Sequence, residues 1–399
     1  MLDAVALRER LEHTERLILS AWVIITSEYP PTAGGVSDYT RQLAVSLASA
    51  GDHVEVWTPA GPEPKLVDPG VSVNLLPDRF GPASWIALSR VLRDPDRRQR
   101  RVTLLLQYVP QGFGLRVMNL PFLLWLASRR EPLWVMVHEA AFPFIRGQPL
   151  KHHVLATITR VMLGTIGSRA DRTFVSVPAW VPYLRRYARL RRTPEWLPVP
   201  SNLPTTSSAV KSELRARLGI PAHAELLVHF GSYSGVVIAP FRAAAARLLT
   251  RYPARWLLLV GRNSDRFRDE LAQAHPELAG RLVGTGTLPP QEVADALHSA
   301  DLAVYAFPDG VSGRRGSLMA ALALGVPVLG TEGASTEPFW REQQAVALVP
   351  AWDTEAMAEA VTALLKDPAR RADMAERGRV AYAKYFSIER TREILRAMG

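Results

Sequence analysis

The chain has 399 residues, 22% of them charged and 48% hydrophobic, the proportions of a soluble globular protein of two or three domains rather than a disordered tail or a fibre. Cysteine is absent, which excludes a disulfide framework, a zinc finger, an iron–sulfur cluster and a thiol nucleophile. The net charge of +10 is uneven: residues 1–200 carry a surplus of +8 and residues 201–399 only +2. Nine histidines without an HExxH or HxH pair argue against a dedicated transition-metal site, so no metal is expected.

Residues 1–15 (MLDAVALRERLEHTE) are charged throughout and do not read as a targeting signal, so a cytoplasmic location is expected. Short β-like apolar runs then alternate with longer helical patterns, the signature of parallel sheets wound with helices. In the first half the runs Leu17–Thr26, His53–Thr58, Val71–Leu76, Val102–Tyr108, Leu133–His138 and Arg172–Val177 predict strands. Val36–Ala50 and Leu150–Ser168 predict helices. Val117–Ser128 (VMNLPFLLWLAS) is too short to span a bilayer and reads as a core-facing helix or, alternatively, a membrane-surface segment. Thr193–Ser208 has four prolines and no period, which predicts an extended linker between two α/β domains of similar size. In the second half, strands are expected at Glu225–Gly231, Trp256–Val260, Leu282–Thr285, Leu302–Ala306 and Val326–Leu329. Helices are expected at Ala239–Arg251, Gln291–Ala300 and Ser317–Leu324. Because open parallel sheets bind ligands at the carboxyl ends of their strands, a cleft between the domains is the expected site.

Four stretches carry residues suited to chemistry. Ser27–Tyr39 (SEYPPTAGGVSDY) sets Gly34-Gly35 before a helix, where backbone can approach a ligand and free N–H groups face an anion; a plain strand-to-helix turn is the simpler account. The order of LLLVGR (257–262), GTGTLPP (284–290) and HSAD (298–301) is more informative than any one piece. Phe307–Thr331 places Ser312, Arg314 and Arg315 just before a helix near Ser317, an arrangement suited to a diphosphate, against the alternative of a solvated arginine pair. His138, at the end of an apolar strand, is either structural or at the mouth of the site. No Walker GxxxxGK[ST] is present, so the chain is not a P-loop NTPase.

Taken in order, WVIITSEYPPTAGGVSDYTRQLAVSLASAGDHVEVWTP (22–59), QYVP (107–110), VHE (137–139), WLPVPSNLP (196–204), VGR (260–262), HSADLAVYAFPD (298–309) and FSIERTREIL (386–395) resemble the retaining glycosyltransferases of family four. The resemblance implies a GT-B fold of two facing Rossmann-like α/β domains: residues 1–195 for the acceptor, a linker at 196–208, residues 209–380 for the nucleotide sugar, and 381–399 as a helix returning to the first domain. It implies His138 as a catalytic residue beside the reacting sugar; Arg314 and Arg315, before the helix start at Ser317, are the further catalytic candidates, as fixed cations for the leaving diphosphate. Donor contacts are expected from Gly34, Gly35, Gly231, Ser232, Tyr233, Arg262, Ser312, Ser317 and Glu332, and acceptor contacts from Tyr39, Gln107, Tyr108 and Glu139. The donor is a nucleotide-diphosphate sugar, no further cofactor is expected, and the acceptor is a glycan, lipid or small-molecule hydroxyl.

Two departures from the family pattern stand out. The paired glutamates before the AxxxGxPV segment are replaced by Ser312 and Ala320, and the Arg and Lys after the first donor-domain strand are missing from FGSYSGVV (230–237). An arginine pair that takes over the diphosphate is one consequence; a catalytically inactive binding or scaffold protein is the alternative. Asp309, Glu332 and Glu337 could bind sugar hydroxyls or serve as surface carboxylates and caps. The basic clusters RRQRR (97–101) and RRYARLRR (185–192) suit peripheral contact with an anionic membrane or an acidic acceptor, or a solvated helix face. Nucleic acid is not expected, since neither cluster lies in a recognised reader.

Overall fold

The structure, a computed structural model, describes residues 20–32, 34–61, 68–93, 102–204, 210–233 and 235–399. The RRQRR cluster and the start of the first predicted strand lie outside the described residues. The chain divides into two compact units, one of residues 1–197 with 391–399, the other of residues 198–390. The boundary thus falls inside the proline-rich stretch, and the chain passes between the units twice.

The first unit is built on a parallel sheet of seven strands in the order β3-β2-β1-β4-β5-β6-β7. The strands are β1 Ala21–Ile25, β2 His53–Pro59, β3 Val71–Leu76, β4 Val102–Tyr108, β5 Leu133–Val137, β6 Arg172–Val175 and β7 Glu195–Trp196. β1 and β5 are buried along their whole length, as expected of central strands covered by helices on both faces. Val23, Ile25, Leu104, Leu106, Val135 and Val137 form the core with Phe113, Phe122 and the inner face of the Leu150–Arg169 helix. The Val117–Ser128 segment becomes the helix Leu120–Ala127, capped by Asn119 and burying Phe122, Leu123 and Leu126. Glu195–Trp196, inside the expected linker, instead adds an edge strand to β6. The last residues belong to this unit through Arg396, 3.4 Å from Asp52, and through the Arg172 guanidinium, which donates to the Met398 carbonyl.

The second unit has a six-stranded parallel sheet in the order β10-β9-β8-β11-β12-β13. Its strands are β8 Glu225–Phe230, β9 Arg255–Val260, β10 Leu282–Gly284, β11 Leu302–Tyr305, β12 Val328–Glu332 and β13 Ala347–Pro350. The core joins Leu227, Leu257, Leu259, Val304 and Leu329 to the helices Ala239–Thr250 and Thr354–Lys366. In both sheets the strand order reverses once, between β1 and β4 and between β8 and β11. At such a reversal the loops leaving two adjacent strands diverge and open a crevice at their carboxyl ends. Gly34, Gly35, Gly231, Ser232, Tyr233, Ser312, Arg314 and Arg315 follow these strands, whereas His138 follows β5, Arg262 follows β9 and Glu332 ends β12.

Candidate functional site

In the first unit, β4 ends on Gln107-Tyr108 and β5 is followed by His138. Adjacent parallel strands bring the two side chains together: His138 Nε2 lies 2.7 Å from Gln107 Oε1, and the Tyr39 ring meets the imidazole edge-on at 5.0 Å. His138 is buried, and burial pushes its pKa down to about 3, so the ring is neutral at physiological pH. The Gln107 Nε2 and Tyr39 hydroxyl are both buried without a hydrogen-bond partner among the described residues. Two unpartnered donors beside a neutral imidazole make a buried polar cluster suited to a hydroxyl-bearing ligand, since buried polar groups are otherwise paired.

Tyr108 does not join them. Successive strand side chains point to opposite faces, so where Gln107 turns toward His138, Tyr108 is fully buried in the core near Phe113 with its hydroxyl on the Thr159 carbonyl at 3.4 Å. Tyr108, expected among the acceptor contacts, is thus placed in the core rather than beside His138. Glu139 is exposed and accepts a hydrogen bond from Gln111.

The glycine loop separates into two different positions. A Cβ at Gly34 would collide with the Glu28 carboxylate, which accepts the Ser37 backbone N–H at 3.1 Å at the start of the Gly35–Ser49 helix. Gly34 is thus kept small by the protein's own anion. Gly35 has nothing within 4 Å of a Cβ position.

In the second unit the loop after β11 carries the charged cluster. Asp309 accepts from Arg314 at 2.7 Å, from Arg315, and from the Ser335 hydroxyl at 3.0 Å. Burial raises the Asp309 carboxyl, but the two guanidiniums outweigh it and hold the group below the usual carboxylate range. The chain can fold back this sharply because Gly310 has φ +86°, and a Cβ there would collide with the Thr336 hydroxyl. Arg315, 16% exposed, also lies with its guanidinium 4.3 Å from the Phe307 ring centre. The Nε atoms of both arginines and the Ser312 hydroxyl are buried without a partner among the described residues.

Directly after Arg315 the helix Gly316–Ala323 begins with no side-chain cap, leaving its first N–H groups and the positive end of its dipole open. Arg314, Arg315 and Ser317 line one hollow of about 260 Å³ with His229, Gly231, Ser232, Tyr233 and Phe307. Tyr233 is held there by its hydroxyl on the His229 carbonyl at 2.6 Å, and His229 stacks on Phe241 with its pKa pushed down to about 3 by burial. Gly261 has φ +113°, and a Cβ would collide with the Gly231 carbonyl, so this glycine fixes the shape of the hollow from behind.

Other expected residues lie elsewhere. Arg262 is exposed and does not line the hollow. Glu332 ends β12 with its carboxylate engaged by Arg341 at 2.7 Å, and is also outside it. Glu337 is buried and committed to the protein, accepting the Gly313 N–H at 3.1 Å and the Trp340 indole N–H at 2.6 Å. A larger hollow of about 490 Å³ is lined by Glu332, Arg341, Arg370, Asp373 and Arg377; Arg341 and Arg377 are exposed and paired with Glu332 and Asp373, and Arg370 is exposed, so none of its arginines is held out of water as Arg315 is in the smaller one. Among the described residues no group of three or more His, Asp or Glu could hold a metal ion. Asp309 is the member of the charged cluster whose ion pairs with Arg314 and Arg315 the sequence hid, since an acidic side chain in a loop reads first as surface.

With the geometry in place, comparison with known proteins is informative. The family model described as Glycosyl transferase 4-like domain matches residues 34–200, and that described as Glycosyl transferases group 1 matches residues 227–367; together they span well over half of the chain. The chain is 26% identical over 365 residues to a phosphatidyl-myo-inositol mannosyltransferase of Mycolicibacterium smegmatis, a match covering 88% of this chain and 86% of that protein. Among solved structures, sucrose-phosphate synthase from Thermosynechococcus elongatus superposes with a TM-score of 0.71 at 20% identity, covering 95% of this chain and 98% of that one. HepE of Anabaena, solved in complex with UDP-glucose, gives 0.67 at 16% identity, covering 94% and 98%. These structures share the fold. The chain belongs to the group 1 glycosyl transferases, the family-four type built on the GT-B fold of two Rossmann-like domains, and is a glycosyltransferase.

Proposed function

We propose that the protein transfers a sugar, with retention of anomeric configuration, from a nucleotide-diphosphate sugar to a hydroxyl of a glycan, lipid or small-molecule acceptor. The observation that carries this reading is the arginine pair fixed on Asp309 before an uncapped helix start, with both Nε atoms and the Ser312 hydroxyl buried and unpartnered. Such a cluster suits a diphosphate leaving group, on which negative charge builds as the glycosidic bond breaks. The UDP-glucose bound by HepE supports a nucleotide-sugar donor, and the mannosyltransferase relative supports a hexose.

In the proposed step the bond from the anomeric carbon to the diphosphate oxygen breaks, with its electron pair leaving on the phosphate. The acceptor oxygen bonds the same carbon from the same face, and its proton passes to the departing phosphate oxygen. Arg314, Arg315 and the Gly316–Ala323 helix start stabilise the leaving group without a metal ion. The neutral His138 imidazole, held by Gln107, receives a sugar hydroxyl rather than a charge. The excess of basic residues in the first half suits an anionic acceptor or peripheral contact with a membrane. Calorimetry with UDP, GDP and TDP, followed by transfer assays with their sugars in EDTA, tests the reading. Binding of one diphosphate and transfer that persists in EDTA are expected, and failure to bind any of the three overturns it.

A further inference from the structure

We propose that the outer face of the Leu150–Arg169 helix, with the loop before it, is a docking surface for a bilayer of anionic phospholipid. The inference deepens the peripheral membrane contact proposed above by naming its residues and its lipid, and vesicle binding can fail or succeed independently of nucleotide binding.

Thirteen large apolar side chains are exposed among the described residues, and five of them fall within the eighteen residues from Phe144 to Val161. Leu150 is 78% exposed, Ile145 58%, Phe144 50%, Val161 48% and Val154 46%. On the helix, Leu150, Val154, Thr157 and Val161 are spaced four, three and four residues apart, which sets them in one row along one face. The Thr157 hydroxyl donates back to the His153 carbonyl at 2.9 Å, so no free polar group interrupts the row. The opposite face buries Ala156, Met162, Leu163 and Ile166. A helix that serves only the core shows water a polar outer face; this one carries an apolar row on its outer face from Leu150 to Val161 as well as the buried one.

The loop lies along the flank of the row, because Phe144 stacks on His153 at 5.7 Å and the Arg160 guanidinium sits 4.0 Å from its ring centre. Charge completes the surface. From residue 140 to residue 194 the sequence has ten Arg or Lys and a single carboxylate, Asp171. Arg146, Lys151, Arg185 and Arg186 are exposed and pair with no carboxylate among the described residues.

Protruding apolar side chains ringed by unpaired cations match the boundary between acyl chains and anionic headgroups. A nucleic acid would use the cations but leave Leu150 and Ile145 in water. A second copy of the same surface would set like charges against one another. No described helix is long and apolar enough to cross a membrane, so the contact is of the kind that lies in the interface.

The test is co-sedimentation of the full chain with vesicles of phosphatidylcholine alone and with about 30% phosphatidylglycerol, in about 0.1 M salt. Binding to the anionic vesicles is expected, weakened about tenfold or more in Ile145→Glu/Val154→Glu and in Arg146→Glu/Lys151→Glu. Val380→Glu, an exposed apolar position in the other unit, should bind as the unchanged protein does. Since all four substituted side chains are exposed, matching circular dichroism and an unchanged UDP affinity are expected in the variants. No binding to anionic vesicles, equal binding by both double variants, or self-association that Ile145→Glu/Val154→Glu abolishes in the absence of vesicle binding would each overturn the proposal.

Discussion

Replacing Arg315 by alanine removes one guanidinium from the charged cluster and leaves the rest of the loop in place. The guanidinium is 16% exposed and packs against Phe307, so a bond from it to a phosphate oxygen forms partly out of water. A charge-assisted hydrogen bond in such a setting contributes about 1.5–3 kcal/mol. That corresponds to a loss of about 10- to 150-fold in nucleotide affinity. The upper part of the range is favoured because Asp309 then faces the ligand with Arg314 as its remaining guanidinium partner. Arg315→Lys keeps the charge but not the planar fork, and should fall between the two proteins. The measurement is calorimetric titration with the nucleoside diphosphate that binds best, with thermal unfolding of each variant to confirm a folded second unit. Unchanged affinity in Arg315→Ala would refute the assignment and return the arginine pair to a role in holding the loop against Asp309.

Two glycines should respond in opposite ways. Gly35→Ala has room on every side and replaces a glycine in a helix, so stability should hold or rise slightly; a fall in donor affinity, read by the same titration, would mark a close ligand approach there. Gly261→Ala must collide with the Gly231 carbonyl at a positive φ, and should cost at least about 3 kcal/mol in urea unfolding. Acid sensitivity follows from the buried imidazoles. His138 and His229 both have pKa values pushed down to about 3 by burial, against 6.5 for a free imidazole. The unfolded chain therefore binds more protons than the folded one below pH 6.5, so their contribution to stability is complete above that pH and is lost as pH falls toward 3. Urea midpoints measured from pH 7 to pH 5 should fall, and His229→Gln should flatten the slope.

Much of this organisation was legible in the sequence because parallel sheets write themselves as unbroken apolar runs. The runs ending at Tyr108, His138 and Ala306 located three strand ends beside the candidate site residues, and the order of motifs joined them into one family. Other features were hidden for physical reasons. Asp309 looks like any loop carboxylate until Gly310 folds the chain so that residues five and six positions later return to it. Gln107 and Tyr108 are neighbours in sequence but lie on opposite faces of β4, and only the sheet shows which one turns toward His138. The outer row of the Leu150–Arg169 helix is not legible in the sequence because a helix with apolar residues on its outer as well as its inner face lacks the single-sided period by which such faces are read. The RRYARLRR segment drew attention by charge alone, whereas the structure sets the exposed apolar side chains one helix earlier.

The placement of Asp309 also bears on which ions the second unit can tell apart. With two guanidiniums and one carboxylate the cluster carries a net charge of about +1, less than a bare arginine pair would. A small monoanion arriving there meets that single net charge and can bridge few of the open donors. On the reading proposed above, a diphosphate in the hollow meets Arg314, Arg315 and the helix start together, because all three line it. On that reading, discrimination between a nucleotide diphosphate and simple anions rests on reach across several donors rather than on the depth of one electrostatic well.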